Sequence, residues 1–336
     1  MNARFSRFVG ADGIGPTEGQ LKIAKKELDF LETKLGEFIE DDDEVRFVKA
    51  LRSGSYAKNT LLRRHEAGDF DADIAIYVEP KNGDEESLPL LLDYLERLLR
   101  RAYKDRTARP PTFDRTAKSA VRVKFLDSPK INIDAVPVIS RPHDTIPNWG
   151  AIPRRDGELR DTSVTEHITF VSDRNKVSKA VNFNHMVMVA KWWRNHAFDE
   201  DARGQLCSFA LELIVGKAFD GTKDRLNGDW GHDLLEIFTW LIRHRFGAPI
   251  SFPDSRVPKA AAPVDGVVKV IDPMNAGNNV SHDWTKAAAD EVLFQAQRFC
   301  DVLGDAMNEL NAEQEEEALT LLDSILPRFS EFSEEQ

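Results

Sequence analysis

The order of elements near the start of the chain constrains its fold more than any other feature. A β-like stretch, Val45–Leu51, runs into a turn at Gly54-Ser55, and a short helix from Tyr56 to about Leu62 is predicted to follow that turn. Residues 70–78 then alternate apolar and polar side chains, which predicts a second strand whose polar positions include Asp71 and Asp73. Each part is common by itself. Their succession is rarer, and it predicts a mixed sheet that carries a binding site.

Periodicity predicts the remaining elements. Thr17 and Gln20 have the spacing of a capping box, which predicts a long helix to about residue 40. A helix at 86–104 and strands at Ser119–Leu126 and Lys130–Ile139 are predicted to complete the first lobe, with Asp127-Ser128-Pro129 as a hairpin turn. Residues 1–16 and 141–165 are rich in glycine or proline and are predicted to be irregular. A second lobe is predicted from helices at 182–197, 208–219, 230–245, 284–310 and 315–326.

Length and composition set the broad class. The 336 residues exceed the roughly 250–300 at which single cores stop growing, so two lobes are expected, at 1–165 and 166–336. A chain with 41% hydrophobic and 30% charged residues is typical of a soluble globular protein. It has no run of about 18 apolar residues and no apolar N-terminal segment, so we expect no membrane contact and a cytoplasmic location. Cys207 and Cys300 are expected to be inert thiols of a reducing compartment.

The charge distribution limits the kinds of partner. A net charge of −12 argues against a protein that coats nucleic acid. Between Arg97 and Lys124, however, ten basic residues stand against two acids. This basic run is either a solvated face of a helix and hairpin or a surface that faces a polyanion, and the residues alone leave both interpretations open.

Three carboxylates form the first candidate site. Side chains at i and i+2 of a strand point to one face, so Asp71 and Asp73 are predicted to lie side by side. Asp134 interrupts another apolar strand, and the three converge if the two strands are adjacent. Three carboxylates on a rigid sheet suit two Mg²⁺ ions, with Mn²⁺ as a possible substitute. An Asp-x-Asp pair is also common on solvated edge strands, so the neighbouring elements decide its meaning.

The Gly54-Ser55 turn is the neighbouring element that favours a nucleotide site. Glycine lets the backbone approach a phosphate closely, and the start of the next helix offers free N–H groups. The Ser55 hydroxyl adds a further donor. A Gly-Ser pair occurs in many plain turns, so it gains meaning only from its place before the Asp-x-Asp strand.

Residues 51–60 together with Asp71-Ala72-Asp73 resemble the signature of the polymerase-beta-like nucleotidyltransferase superfamily. The closer resemblance is to the bacterial cGAS/DncV-like nucleotidyltransferases of CBASS anti-phage systems, relatives of animal cyclic GMP-AMP synthase and 2′-5′-oligoadenylate synthase. Later segments extend it over about residues 17–310, namely Val189–Arg194, Leu206–Leu213 and Val270–Val280. The resemblance implies an α+β fold: a polymerase-beta-like nucleotidyltransferase lobe, a helical C-terminal lobe, and an active site in the cleft between them.

The resemblance also implies roles for residues. The metal-binding catalytic acids are Asp71, Asp73 and Asp134, the turn that holds the donor triphosphate is Gly54 and Ser55, and the phosphate contacts of the second lobe are Lys191 and Ser208. Without the resemblance, Lys191 is better explained as a solvated helix residue and Ser208 as a plain helix N-cap, and the motif match reverses that preference. Structural roles are expected for Trp192 and Trp193 in the core and for the turn residues Asp272, Asn278 and Asn279.

Two departures from the family pattern are visible. Asn59 stands where the family usually has glycine, and asparagine tolerates left-handed backbone conformations. The spacing from Ser55 to Asp71 is lengthened by Arg63–Gly68, an insert expected near the acceptor nucleotide. No zinc-ligand insertion like that of the animal enzyme is present, so DNA sensing by that route is not expected.

The predicted function is Mg²⁺-dependent synthesis of a cyclic di- or trinucleotide second messenger from nucleoside triphosphates, at least one of them a purine. A regulatory protein or a nucleic-acid activator is a possible partner. Two alternatives stay open. One is a linear oligoadenylate or RNA-end nucleotidyltransferase, and the other is a catalytically silent nucleotide-binding module.

Overall fold

The structure is a computed structural model that describes residues 1–332 except 41, 64–69, 84, 86–89, 105, 107–109, 126–130, 178–180 and 253–264. The chain divides into two compact units. One unit, Pro16–Thr169, contains the sheet and is called the sheet unit. The other, Met1–Gly15 with Phe170–Gln336, is called the helical unit.

The helices and strands are numbered in chain order. The helices are α1 (Asn2–Val9), α2 (Glu18–Glu40), α3 (Gly54–Ala57), α4 (Leu91–Tyr103), α5 (Val164–Val177), α6 (Phe183–Ala197), α7 (Glu200–Gln205), α8 (Ser208–Thr222), α9 (Trp230–His244), α10 (Lys286–Asn311) and α11 (Glu315–Ile325). The strands are β1 (Val45–Ser53), β2 (Phe70–Pro80), β3 (Thr112–Asp114), β4 (Val121–Lys124), β5 (Ile131–Ser140), β6 (Trp149–Pro153), β7 (Leu159–Ser163), β8 (Ile271–Asp272) and β9 (Asn275–Asn279). A 3-10 helix, Phe329–Glu331, follows α11.

Seven of the described strands form one mixed sheet in the sheet unit. Its main path runs β1-β2-β5-β4-β3, and β6 pairs with both β5 and β7. The central pair, β2 and β5, is parallel, whereas β1 and β4 pair antiparallel with the outer edges of that pair. This arrangement and the helices that follow it confirm the predicted α+β class.

Apolar alternation gives the sheet two distinct faces. Phe70, Ala72 and Ile74 of β2 belong to the main core cluster of the sheet unit, to which α2 and α4 also contribute. Ala75 and Tyr77 belong to a second, smaller cluster that includes Val138 of β5. Because adjacent side chains of a strand point to opposite faces, Asp71 and Asp73 lie on the face away from the main core. The predicted register of this strand is confirmed.

Local signals identified most helices correctly. The capping box of α2 is confirmed: Gln20 N–H donates to Thr17 Oγ1 over 3.2 Å, and Thr17 N–H donates to Gln20 Oε1 over 2.9 Å. Helices α6, α8, α9, α10 and α11 lie within a few residues of their predicted bounds. No helix in the described ranges is long and apolar enough to cross a membrane.

The N-terminal prediction was wrong. Residues predicted to be irregular form α1, in which Phe5 and Phe8 are buried at helical spacing. The Phe5 ring stacks on Trp230 at 5.3 Å between centroids and contacts Phe329 at 4.5 Å. These aromatic contacts hold Met1–Gly15 in the helical unit, although the sequence assigned residues 1–165 to the catalytic lobe.

Two further predictions need correction. The segment 141–165 was predicted to be a connection, but it supplies β6 and β7, which extend the sheet from β5. Strand β7 is largely polar and therefore lacks the alternation that predicts a strand. In the helix predicted at 86–104, Leu90 precedes α4, which begins at Leu91, and residues 86–89 lie outside the described residues. The predicted hairpin turn at 127–129 lies outside the described residues.

Candidate active site

The sheet places the three predicted aspartates on neighbouring strands. Asp73 of β2 stands opposite Asp134 of β5 in the parallel register, and Asp71 stands opposite Asn132. Residues paired in register point to the same face of a sheet, so Asp134 joins Asp71 and Asp73 on one face. The Asn132 amide donates to Asp71 Oδ1 over 2.9 Å. The structure therefore brings together the carboxylates that the sequence could only suggest.

Gly54 lies against this cluster. Its φ of +58° is in the left-handed region, where glycine is favoured. A Cβ atom built on Gly54 would lie 1.9 Å from Asp73 Oδ2 and 2.9 Å from Asp73 Cβ, which no side chain tolerates. Ser53, just before it, is paired in register with Asp73. Both the backbone conformation and the contact with Asp73 explain why glycine occupies this turn.

The turn after β1 is closed by its own backbone. Helix α3 begins at Gly54 and ends at Ala57, earlier than the predicted helix from Tyr56 to Leu62. The Thr60 N–H donates to the Ser55 carbonyl over 2.9 Å. Asn59 adopts a φ of +54°, which confirms that asparagine serves here in a left-handed conformation. Of the predicted insert, only Arg63 belongs to the described residues.

The electrostatics of the cluster centre on Asp73. Burial, followed by the charges of Asp134 and Asp71, raises the pKa of Asp73 to about 7, against the opposing effects of Lys58 and Arg122. A carboxyl held so far above its usual pKa lies in a field that disfavours its own negative charge. An added cation relieves that repulsion, so the cluster is suited to bind one.

Arg122 of β4 is the nearest cation to Asp134. Its Nε donates to Asp134 Oδ1 over 2.7 Å and its Nη2 donates to Oδ2 over 2.6 Å, a two-point ion pair. The hydrogen bonds to Asp134, followed by charge effects that include those of Asp71 and Asp73, raise the pKa of the Arg122 guanidinium. Both oxygens of Asp134 are therefore engaged by the protein itself.

The donor set fits a hard divalent cation by its chemistry, because it consists of carboxylate oxygens on one rigid face. In the described part of the chain, however, no three His, Cys, Asp or Glu side chains are arranged to hold a metal ion. The hydrogen bonds of Asp134 to Arg122 and of Asp71 to Asn132 account for this arrangement. A metal ion at this site competes with these partners for the carboxylate oxygens.

The two predicted phosphate contacts lie in the helical unit. Lys191 of α6 is 5% exposed, and its Nζ lies 3.9 Å from Glu212 Oε2 of α8, which is also buried. Ser208 is exposed and accepts a 2.7 Å hydrogen bond from Arg194 Nη1. Ser208 is not the N-cap of α8, because Cys207 Sγ accepts from the Ala210 N–H in that position. The phosphate-binding roles of Lys191 and Ser208 stay predictions.

The residues expected to be structural have structural contacts. Trp192 and Trp193 are buried, and Trp193 packs edge-on against Phe238 at 4.9 Å. Asp272 accepts hydrogen bonds from the Met274 N–H over 2.8 Å and from the Asn278 amide over 3.1 Å. These contacts stabilise the turn between β8 and β9.

Half of the ten basic residues of the run form ion pairs in the part of the chain that the structure describes. Glu96 is buried and is bound by both Arg100 and Arg115. Arg106 pairs with Glu27 at 2.9 Å, and Lys124 pairs with Asp114 at 2.6 Å. These contacts favour a structural role for the paired residues of the run, in which Arg109 lies outside the described residues.

Sequence reasoning missed three residues of the site, namely Lys58, Arg122 and Asn132. The alternation Val121-Arg122-Val123 places Arg122 on a polar face, which was a usable signal. Its partner was readable as well, because the predicted hairpin turn at 127–129 places residue 122 opposite residue 134, which is the register of β4 and β5. Lys58, which is buried, acts on Asp73 through its charge.

A mixed sheet with Asp-x-Asp on one strand, a third aspartate opposite it and a Gly-Ser turn against it defines a polymerase-beta-like nucleotidyltransferase. The chain belongs to the Second Messenger Oligonucleotide or Dinucleotide Synthetase family, called SMODS, whose family profile matches residues 2–175. It is accordingly an enzyme that synthesises oligonucleotide second messengers, and the predicted kinship with the cGAS/DncV-like nucleotidyltransferases of CBASS systems is confirmed. Enzymes of this class are generally metal-dependent.

Characterised relatives match over most of the chain. The Cyclic AMP-AMP-AMP synthase of Escherichia coli (strain MS 115-1) is 28% identical over 281 residues, 82% of each chain. The CBASS oligonucleotide cyclase CdnC of Escherichia coli (strain KTE188) is 26% identical and covers 89% of this chain and 92% of its own. The solved structure of E. coli MS115-1 CdnC in complex with HORMA-deltaN superposes with a TM-score of 0.76 at 25% identity, covering 98% of this chain and 97% of that chain.

Proposed function

We propose that this enzyme binds two Mg²⁺ ions through Asp71, Asp73 and Asp134 and joins nucleoside triphosphates into a cyclic di- or trinucleotide. The observation that carries the proposal is the placement of Gly54 directly against Asp73, which itself stands in register with Asp134. A backbone turn suited to phosphate thus adjoins a carboxylate cluster whose negative charges need a cation. Mn²⁺ is expected to substitute for Mg²⁺.

Each group in the proposed site has a role that follows from its chemistry. The bound metal supplies charge stabilisation for the phosphates and lowers the pKa of the attacking hydroxyl. The Gly54-Ser55 turn holds the donor triphosphate through backbone N–H groups and the Ser55 hydroxyl. The acceptor ribose hydroxyl loses its proton near Asp134 and attacks the α-phosphorus in line, and pyrophosphate leaves. One or two further rounds close the ring.

The relatives guide the choice of substrates and partners. One of them is a cyclic AMP-AMP-AMP synthase, so ATP is the first substrate to test and a cyclic adenosine trinucleotide is the first product to seek. Another was solved in complex with a HORMA protein, which supports a regulatory protein as partner here. We assign the enzyme to the cytoplasm, where nucleoside triphosphates are available.

Labelled nucleoside triphosphates, singly and mixed, test the proposal when incubated with the full chain and Mg²⁺ or Mn²⁺. The expected product resists phosphatase, has the mass of a cyclic oligonucleotide, and is lost in Asp71→Asn and Asp73→Asn. A ladder of phosphatase-sensitive oligomers indicates a linear polymerase instead. If no product forms and Mg²⁺-ATP binding is identical in the wild type and both variants, the proposed site is wrong.

A further inference from the structure

The Arg122–Asp134 pair is unusual because it occupies a carboxylate that the proposed chemistry needs. Its guanidinium engages both Asp134 oxygens, at 2.7 and 2.6 Å. The two side chains are 29% and 14% exposed, so the pair is largely shielded from solvent. Most ion pairs of the basic run join residues outside the carboxylate cluster, whereas this one lies within it.

A guanidinium and a divalent cation compete for such a carboxylate. Mg²⁺ demands close octahedral coordination at about 2.0–2.1 Å from each ligand oxygen. Arg122 engages the same two oxygens in a fork geometry and cannot lose its charge. Two cations at one partly buried carboxylate also repel each other strongly, because the local dielectric is low. Metal binding through Asp134 and the two-point contact of Arg122 therefore oppose each other.

The surroundings of Arg122 allow its side chain to move while its backbone stays fixed. Val121 and Val123 on either side are fully buried in the main core cluster. The backbone of β4 is paired with β5 from Val121 to Lys124. The side chain of Arg122, by contrast, is partly exposed. Rotation of that side chain is enough to release Asp134 without a change of strand register.

We propose that Arg122 is a positioning residue that holds Asp134 as an exchangeable counter-ion in the metal-free enzyme and is displaced from it when the metal binds. The inference rests on the proposed function. It implies that Arg122 keeps Asp134 ordered before a metal binds and raises the metal concentration at which the enzyme becomes active. The reaction itself uses the released carboxylate.

Direct metal binding to the full chain without nucleotide tests this role. Mn²⁺ affinity measured by electron paramagnetic resonance is expected to rise about tenfold in Arg122→Gln. Lys124→Gln is the matched control, since it removes the same charge from the same strand but from a pair with Asp114. Its Mn²⁺ affinity is expected to stay within about twofold of the wild type. Equal or weaker Mn²⁺ binding in Arg122→Gln overturns the proposal, because a permanent partner that orients Asp134 gives that result.

A second measurement uses the wild-type chain and so does not depend on the folding of a variant. In ¹⁵N-arginine-labelled protein, the Nε–H of Arg122 donates to Asp134 and is expected to exchange slowly with solvent. Added Mg²⁺ is expected to shift this resonance and speed its exchange. An unchanged Arg122 Nε–H resonance at saturating Mg²⁺ contradicts the displacement of Arg122 from Asp134.

A failure of this inference and a failure of the proposed function give different patterns of Mn²⁺ binding. Mn²⁺ binding that is lost in Asp71→Asn and Asp73→Asn but unaffected by Arg122→Gln leaves the catalytic site intact and refutes only the role of Arg122. Mn²⁺ binding that persists unchanged in both aspartate variants refutes the site itself.

Discussion

The carboxylate cluster of the sheet unit and the Lys191–Glu212 pair of the helical unit handle buried charge in opposite ways. In the helical unit a base and an acid, both nearly inaccessible, face each other at 3.9 Å. In the sheet unit Asp73 lies among two further acids, and burial together with their charge outweighs Lys58 and Arg122. The first arrangement pairs opposite charges and stabilises a fold. The second leaves an excess of negative charge, which disfavours the folded state of the metal-free chain and favours a bound cation.

Neutralising the cluster is expected to have the largest effect on activity. Asp71→Asn and Asp73→Asn should each reduce product formation by at least about 10³-fold, because electrostatic stabilisation by bound cations is commonly the largest catalytic term. Labelled product per unit time is the measurement. Asp114→Asn is the control, since this sheet carboxylate pairs with Lys124 outside the cluster. A similar loss in Asp114→Asn contradicts a specific role for the cluster.

Asp73→Asn is also expected to stabilise the folded chain, whereas most substitutions destabilise it. Without metal at pH 8, Asp73→Asn removes a negative charge that its surroundings disfavour, so its melting temperature is expected to rise by a few degrees. About 1 kcal/mol corresponds to about 2–4 °C in a domain of 150–250 residues. Differential scanning calorimetry measures the shift. An unchanged or lower melting temperature contradicts the excess of negative charge at this site.

Gly54→Ala is expected to cost about 10²-fold in activity, because the added Cβ would collide with Asp73. Gly157 provides a matched control: its φ is +85°, and a Cβ atom there would meet nothing within 4 Å. Both substitutions carry the same kind of backbone strain, of about 1–2 kcal/mol. Product formation should fall only in Gly54→Ala. Equal activities in the two variants show that backbone strain, and not the contact with Asp73, explains the glycine.

Lys191→Met tests the Lys191–Glu212 pair of the helical unit. Removing one partner of a buried ion pair leaves an uncompensated charge on Glu212, which costs on the order of 3 kcal/mol. Urea unfolding is expected to show that loss, and Lys191→Met combined with Glu212→Leu is expected to recover much of it. A phosphate contact predicts the opposite result: normal stability in the single variant and a raised KM for ATP.

The sequence predicted what depends on neighbouring residues and missed what depends on distant ones. The spacing of Thr17 and Gln20 located the start of α2, and the alternation of β2 placed Asp71 and Asp73 on one face. The convergence with Asp134 depends on a parallel pairing between segments some sixty residues apart, which the strand pattern left conditional and the family resemblance implied. Strands β6 and β7 were out of reach, since they lie in a segment rich in proline and glycine and β7 is largely polar. The partner of Arg122, by contrast, follows from the register of the predicted hairpin.

The ionisation of the Asp73 carboxyl is expected to have the smallest effect on stability. Its pH dependence is also the most direct test of the excess negative charge in the cluster. Its pKa is about 7 in the folded, metal-free chain and near 4 when unfolded. The folded state therefore keeps a proton that the unfolded state releases. The stability from this group is fully present below about pH 4 and is lost as the pH rises to about 7. The excess melting temperature of Asp73→Asn over the wild type should accordingly be small at pH 5 and reach its full value above pH 7.

Metal affinity is expected to increase as the pH rises, since metal binding requires the charged carboxylate. Mn²⁺ affinity of the wild type is expected to be about tenfold weaker at pH 6 than at pH 8, because a proton bound with a pKa near 7 must leave first. The thermal stability of Lys191→Met relative to the wild type should lack this pH 6 to 8 transition, because Asp73 is unchanged in both chains. A Mn²⁺ affinity that is flat between pH 6 and 8 means that the cluster is already ionised when empty. In that case Arg122 and Lys58 compensate its charge as fully as Lys191 compensates Glu212.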